Sequence, residues 1–219
     1  MTERHRIGAV HALLGSIGPT QAAFDHGWPN ADVAHLLDGS LYLDRSRGTA
    51  DAAEISRRIE RLIRHSAATG AEAILFTGSF FGDAVRAAAP HVEVPVLTSF
   101  DGVVEASLAL AQPLRVLSTA ADSMTLLVNE LTDVAATRNQ PLEVSGDVVP
   151  GALDALVAGD AADHDRLVLE AIRASGSAHA VVLAQFSMER VIEEAQSTSA
   201  TAVLGPATAG VARLRALLG

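Results

Sequence analysis

The chain contains no cysteine. That removes disulfides, thiolate metal ligands and every thiol-based nucleophile or acid–base group. Aromatic residues make up only 4% of its 219 residues, with one Trp and one Tyr, so a core has to be built from aliphatic side chains. Cations are in deficit: 16 Lys and Arg stand against 26 Asp and Glu, a formal net charge of −10. Nucleic acids and anionic membrane surfaces are held by clustered positive charge, so neither is expected as a partner. No apolar run approaches the roughly 20 residues of a membrane-spanning helix. The opening segment MTERHRIGAV lacks the apolar stretch of a secretion signal. These absences predict a cytoplasmic protein. There is no GxxxxGK[ST], and no GxGxxG after the first strand, which excludes the P-loop and dinucleotide fingerprints. HxH and HExxH are missing, so no metal is expected. Neither Ser16 nor Ser187 sits in a GxSxG elbow, which argues against a hydrolase triad.

What is present is a regular alternation. Apolar runs of strand length are predicted at 6–12, 32–37, 73–77, 95–98, 114–118, 142–148, 180–185 and 201–204. Helical patterns fall between them, at 19–26, 51–69, 79–88, 101–111, 121–136, 151–157, 164–174, 188–196 and 207–218. The clearest is 51–69, where Ala53, Ile55, Ile59, Leu62 and Ile63 share one face and Gly70 supplies the stop. Strand–helix alternation means parallel sheets with right-handed crossovers. The order of elements repeats in the second half. The fold class is therefore α/β, with two pseudo-symmetric lobes, each a parallel sheet flanked by helices, and an active-site cleft between them. The predicted divisions are 1–98, 99–204, and a last helix at 205–219 returning to the first lobe.

In open parallel sheets, ligands bind beyond the C-terminal ends of the strands. The loops there are 14–20, 38–40, 77–80, 118–123, 185–187 and 205–208, most of them carrying Ser, Thr or Gly ahead of a helix. Free N–H groups at helix starts favour carboxylates and phosphates. Gly78 and Ser79, after Thr77, read either as a capped turn or as an anion cradle. Gln185 ends an apolar strand, where its amide either bonds to nearby backbone or holds a substrate group. Asp38 and Ser40 read as a turn cap or as cleft lining. His11, at the end of the first strand, is a proton carrier or a hydrogen-bonded core residue. His164, in GDAADHDRL, reads as a surface residue at a helix start.

Taken together, VHALLGSIGPTQAAF, LLDGSL, ILFTGSFFG, VVLAQFSMERV and VLGPATAGVARLRALL resemble the aspartate/glutamate/hydantoin racemase superfamily over essentially the whole chain, in a branch whose second motif reads LAQ-x-SM. The resemblance implies two α/β lobes with the site between them and chemistry without metal or cofactor. It also implies two thiols on opposite faces of a small carboxylate substrate. Those thiol positions fall on Gly78 and Gln185, neither of which is an acid or a base. The resemblance further implies that Ser16, Ser79, Thr119 and Ser187, with the N–H groups around Gly78 and Phe80, bind substrate. Phe80, Phe81 and Phe186 would supply apolar surface, and His11 a proton. The related arylmalonate decarboxylases carry glycine at the first turn but keep the second cysteine. Three functions are therefore open: isomerisation or racemisation beside a carboxylate without thiols, decarboxylation to an enolate, and binding of a small carboxylate without catalysis. A homodimer is a further expectation from relatives.

Overall fold

A computed structural model of the chain describes residues 4–110, 113–176, 178–198 and 201–219. These fall into two compact units, one formed by Met1–Gly102 with Gly210–Gly219, the other by Val103–Ala209.

In the first unit, strands β1 (Arg6–His11), β2 (Asp32–Leu37), β3 (Ala73–Thr77) and β4 (Val96–Leu97) form one parallel sheet in the order β2-β1-β3-β4. Helices α1 (Ile17–Gly27), α2 (Ser40–Arg47), α3 (Ala52–Ala68) and α4 (Gly82–Ala88) connect or flank them. Helix α5 (Asp101–Leu108) begins at the end of this unit; position 111, the expected end of that helix, lies outside the described residues. The second unit repeats the plan. Strands β5 (Leu114–Ser118), β6 (Val144–Val148), β7 (Ala180–Leu183) and β8 (Ala202–Leu204) are parallel in the order β6-β5-β7-β8. Its helices are α6 (Ala121–Thr137), α7 (Ala152–Val157), α8 (Ala161–Arg173) and α9 (Ile192–Thr198). The last helix, α10, is Pro206–Leu218. The α/β class and the two parallel sheets match the expectation from sequence.

The central strands are the apolar ones because both their faces are covered. β3 is buried at every residue, whereas the edge strand β2 has no fully buried position. Helix α3 shows how sequence becomes packing. Asp51 accepts a hydrogen bond from the Glu54 N–H at 2.7 Å and caps the start. Ile55, Ile59, Ile63 and Ser66 then recur on the buried face, and Gly70 takes a left-handed φ of 88° just past the end. Gly8 lets α3 lie close on β1, since a Cβ there would overlap Ser66 Oγ.

Three expectations change. The segment after Asp38 is a helix, α2; it has one buried apolar residue, Leu41, so it carries no apolar stripe to read. The helices expected from 79 and from 188 each begin as a 3-10 turn, Ser79–Phe81 and Phe186–Val191. His164 is not on the surface: it is fully buried. Helix α8 starts three residues before it, with Asp160 as cap, so His164 falls in line with Val168 and Ile172 on the inward face. Its Nδ1 lies 2.8 Å from Asp165, which also accepts from Arg190 Nε at 3.1 Å. Its Nε2 has no partner among the described residues. Likewise among the described residues, no helix is long and apolar enough to cross a membrane.

Candidate active site

The first turn grows out of the C-terminal end of β3. Thr77 is buried there, and its Oγ1 lies 2.8 Å from Nδ1 of His11 on the neighbouring strand. His11 Nε2 lies 2.8 Å from Nδ1 of His35 on β2, with the two rings stacked at 5.1 Å. His35 Nε2 lies 2.8 Å from Gln21 Oε1 on α1. The chain thus runs from the fully buried Thr77 and His11 to the exposed His35.

Its polarity follows from the last member. An amide oxygen only accepts, so His35 carries its proton on Nε2 and accepts on Nδ1. His11 then donates through Nε2 and accepts the Thr77 hydroxyl proton on Nδ1. Burial, followed by the nearby His35, pushes the His11 pKa down to about 4, and burial lowers that of His35. His11 is therefore a neutral imidazole at neutral pH, and the Thr77 hydroxyl proton points inward rather than toward a ligand. Long-range ¹H–¹⁵N correlation at pH 7.5 should show both rings protonated on Nε2. In Gln21→Leu the His11 tautomer should become mixed.

Beyond Thr77, Gly78 is closely walled. A Cβ there would come within 3.0 Å of Ala12 Cβ, Phe76 Cε1 and Phe81 Cδ2. Its φ of 171° is ordinary extended backbone, so the constraint is space, not strain. We expect Gly78→Cys to lower stability by about 1–3 kcal/mol, the usual cost of overpacking, in denaturant melts. The Gly78 N–H donates to Ser99 Oγ at 2.5 Å, and Ser99 donates to the Phe76 carbonyl at 3.1 Å. The Gly78 N–H is thus spent internally. The Phe81 N–H closes back on the Gly78 carbonyl at 3.0 Å, and the Ser79 side chain is hydrogen-bonded to Tyr42, whose phenol is raised by burial. The N–H groups of Ser79 and Phe80 start the 3-10 turn and are the donors this turn has left.

Asp38 and Ser40 are committed elsewhere. Asp38 accepts from the Ser40 N–H at 3.1 Å and from Arg58 Nη2 at 2.7 Å, and Ser40 Oγ bonds to the same carboxylate and to Arg58. Burial pushes the Asp38 carboxyl up, but Ser40 and Arg58 together hold it below its usual range. Ser16 is buried at the start of α1, where its carbonyl accepts from Thr20 Oγ1 at 2.7 Å.

The second turn follows β7. Gln185 Oε1 accepts from the Thr119 N–H at 2.7 Å and from Thr119 Oγ1 at 2.8 Å, and it shares the single Ser118 Oγ proton, at 3.0 Å, with the Ala120 carbonyl at 2.8 Å. The donors expected to grip a substrate through Thr119 are held by the protein's own amide oxygen. Gln185 accordingly presents its NH₂ group. The Met188 N–H returns to the Gln185 carbonyl at 3.1 Å. Phe186 is buried and Ser187 half-buried on the same turn.

Four residues beyond Gln185, Glu189 caps α10. It accepts from the Thr208 N–H at 2.9 Å, from Thr208 Oγ1 at 2.6 Å and from the Ala207 N–H. Burial raises its pKa to about 7 against the pull of Thr208 and Ala207. A Cβ at position 205 would overlap the Glu189 side chain, so Gly205 makes the room. Sequence reading missed Glu189, His35, Gln21, Tyr42, Ser99 and Arg58. One clue to Glu189 was available: GPATAG opens a helix whose cap position, Gly205, has no side chain to accept from the first N–H groups.

The family model for Asp/Glu/hydantoin racemase matches residues 20–214. The chain belongs to the Asp/Glu/hydantoin racemase family. Among solved structures, this family member is similar to the allantoin racemase from Klebsiella pneumoniae, with TM-score 0.72 and 16% identity, over 98% of this chain and 87% of that one. It is similar to the Picrophilus torridus aspartate racemase, with TM-score 0.72 and 12% identity, over 97% and 94%. It is also similar to an arylmalonate decarboxylase, with TM-score 0.59 and 17% identity, over 98% and 92%. At these identities the likeness is one of fold. No curated protein matches this family member by sequence.

Proposed function

We propose that the chain is a cofactor-independent, racemase- or isomerase-type enzyme. It would act at the carbon beside the carboxylate of a small organic acid, without a thiol pair. The observation that carries this reading is the condition of the second turn. Gln185 is held by two hydrogen bonds from Thr119, so a neutral amide NH₂ is fixed at the position the family resemblance assigns to a thiol. Such a donor cannot take a proton but can stabilise the oxygen of an enolate. In this reading the N–H groups of Ser79 and Phe80 hold the carboxylate, Phe186 and Ser187 flank the enolate, and proton exchange falls to water, because both nitrogens of the buried His11 are engaged within the fold. Among the described residues, no three His, Asp or Glu side chains gather as for a metal ion.

Decarboxylation is the second reading, favoured by the apolar wall of Ala12, Phe76 and Phe81 around Gly78. There the C–C bond electrons become the enolate as CO₂ departs, and no base is needed for that step. One assay separates the readings. The protein is incubated with short amino acids, hydantoins and substituted malonates, followed by chiral chromatography and CO₂ release. Interconversion of enantiomers is expected, and CO₂ from malonates would favour the second reading. Binding of several acids, seen as thermal stabilisation, without any conversion would overturn both in favour of a carboxylate binder.

A further inference from the structure

The first unit contains a pocket walled in part by Phe80 and Phe81. A cavity of about 300 Å³ is lined by Arg45, Ile55, Phe80, Phe81, Asp83 and Ala84, among others. That volume is at the lower end for small-molecule sites. Most of the wall is apolar, and Phe80 and Phe81 are both braced edge-on by Tyr42, at 5.7 and 5.2 Å.

Its rim carries one cation, Arg45, and one anion, Asp83. The guanidinium of Arg45 lies 4.2 Å from the centroid of the Phe80 ring. The carboxylates near it in sequence are engaged elsewhere: Arg58 binds Asp38 at 2.7 Å and Asp44 at 2.5 Å, Asp44 also accepts from Thr49 at 2.8 Å, and Asp51 caps α3 through the Glu54 N–H at 2.7 Å. Among the described residues, Arg45 has no carboxylate partner. Stacking on Phe80 holds the guanidinium in place, and its N–H edges meet no acceptor among the described residues, the geometry in which arginine recognises a carboxylate. The exposed Asp83 on the same rim disfavours a second negative charge on the ligand.

We propose that this cavity binds a small monocarboxylic acid with an apolar body, its carboxylate paired with Arg45 and its body against Ile55, Phe81 and Ala84. The site does not depend on the reaction proposed above, and none of its polar groups belongs to that machinery. Because Phe80 and Phe81 form both its wall and the 3-10 turn, an occupant would act directly on that turn.

The test uses the ¹⁵N-labelled full chain titrated with 4-methylpentanoate, its neutral amide, and glutarate. The acid should shift the backbone amides of Ile55, Phe81 and Ala84 in a saturable way. The amide and glutarate should each bind at least tenfold more weakly. Arg45→Met, which keeps the apolar stem over Phe80, should cost tenfold or more, and Arg45→Lys less. Gln185→Ala, at the second turn, should leave these shifts in place, which separates this cavity from the site of the proposed reaction. The proposal is overturned if the acid shifts none of these amides, if Arg45→Met binds as tightly, or if Gln185→Ala abolishes the shifts.

Discussion

Acidifying the protein from pH 7 to pH 4 should withdraw about 3 kcal/mol of stability that His11 supplies, and a His11→Asn variant should not show that loss. The sign follows from which state binds the proton. His11 titrates near 6.5 in the unfolded chain and about 4 in the folded one, because full burial disfavours the imidazolium and Nδ1 and Nε2 are both already engaged. Between those values only the unfolded state takes up the proton. The contribution is complete above pH 6.5, falls as the pH drops toward 4, and is constant below that. At about 1.4 kcal/mol per pKa unit, the window amounts to about 3 kcal/mol. The measurement is the difference between wild-type and variant denaturation free energies at half-unit steps of pH. A difference that does not change with pH would mean that His11 ionises freely.

Glu189 should produce the opposite slope. Its folded pKa is raised from 4.5 to about 7, so the folded protein binds the extra proton between these values. Its contribution is complete below pH 4.5 and is lost as the pH rises through 7. Relative to Glu189→Gln, the wild type should therefore lose up to about 3 kcal/mol between pH 4.5 and 8. Glutamine keeps an acceptor for the Ala207 and Thr208 N–H groups without burying a charge. The two effects oppose each other between pH 4.5 and 6.5, so the wild-type curve alone should look nearly flat there. Each slope appears only in its own difference curve. Gly205→Ala should abolish the Glu189 slope, because a methyl group there displaces the side chain from the start of α10.

Where local pattern and burial agree, the fold is legible in the sequence. The i, i+4, i+8 isoleucines of α3 and the fully apolar β3 could be read directly, because one lies along a single buried face and the other is covered on both. Helix α2 was not legible, since its residues carry no periodic apolar face. His164 misled for a different reason: its aspartate neighbours suggested solvent, yet the helix start at Ala161 sets its direction inward. At the turns, sequence named Thr77, His11, Thr119 and Gln185, and the structure joins Thr77 to His11 and Thr119 to Gln185 directly. It could not show that the Gly78 N–H and the Thr119 donors are satisfied from within. The groups responsible, Ser99 and the Gln185 amide, reach them only through tertiary packing.

In the proposed reading that self-satisfaction bears on function, because a fixed amide stands where the family resemblance implies a thiol. The most direct test of carboxylate chemistry without sulfur is solvent exchange. The protein is incubated in D₂O with a panel of α-substituted carboxylic acids, and the α-proton signal of each is followed by ¹H NMR. Loss of that signal for at least one acid, at a rate proportional to protein concentration and reduced in Gln185→Ala, is the predicted result. Retention of every α-proton by acids shown to occupy the protein would contradict it.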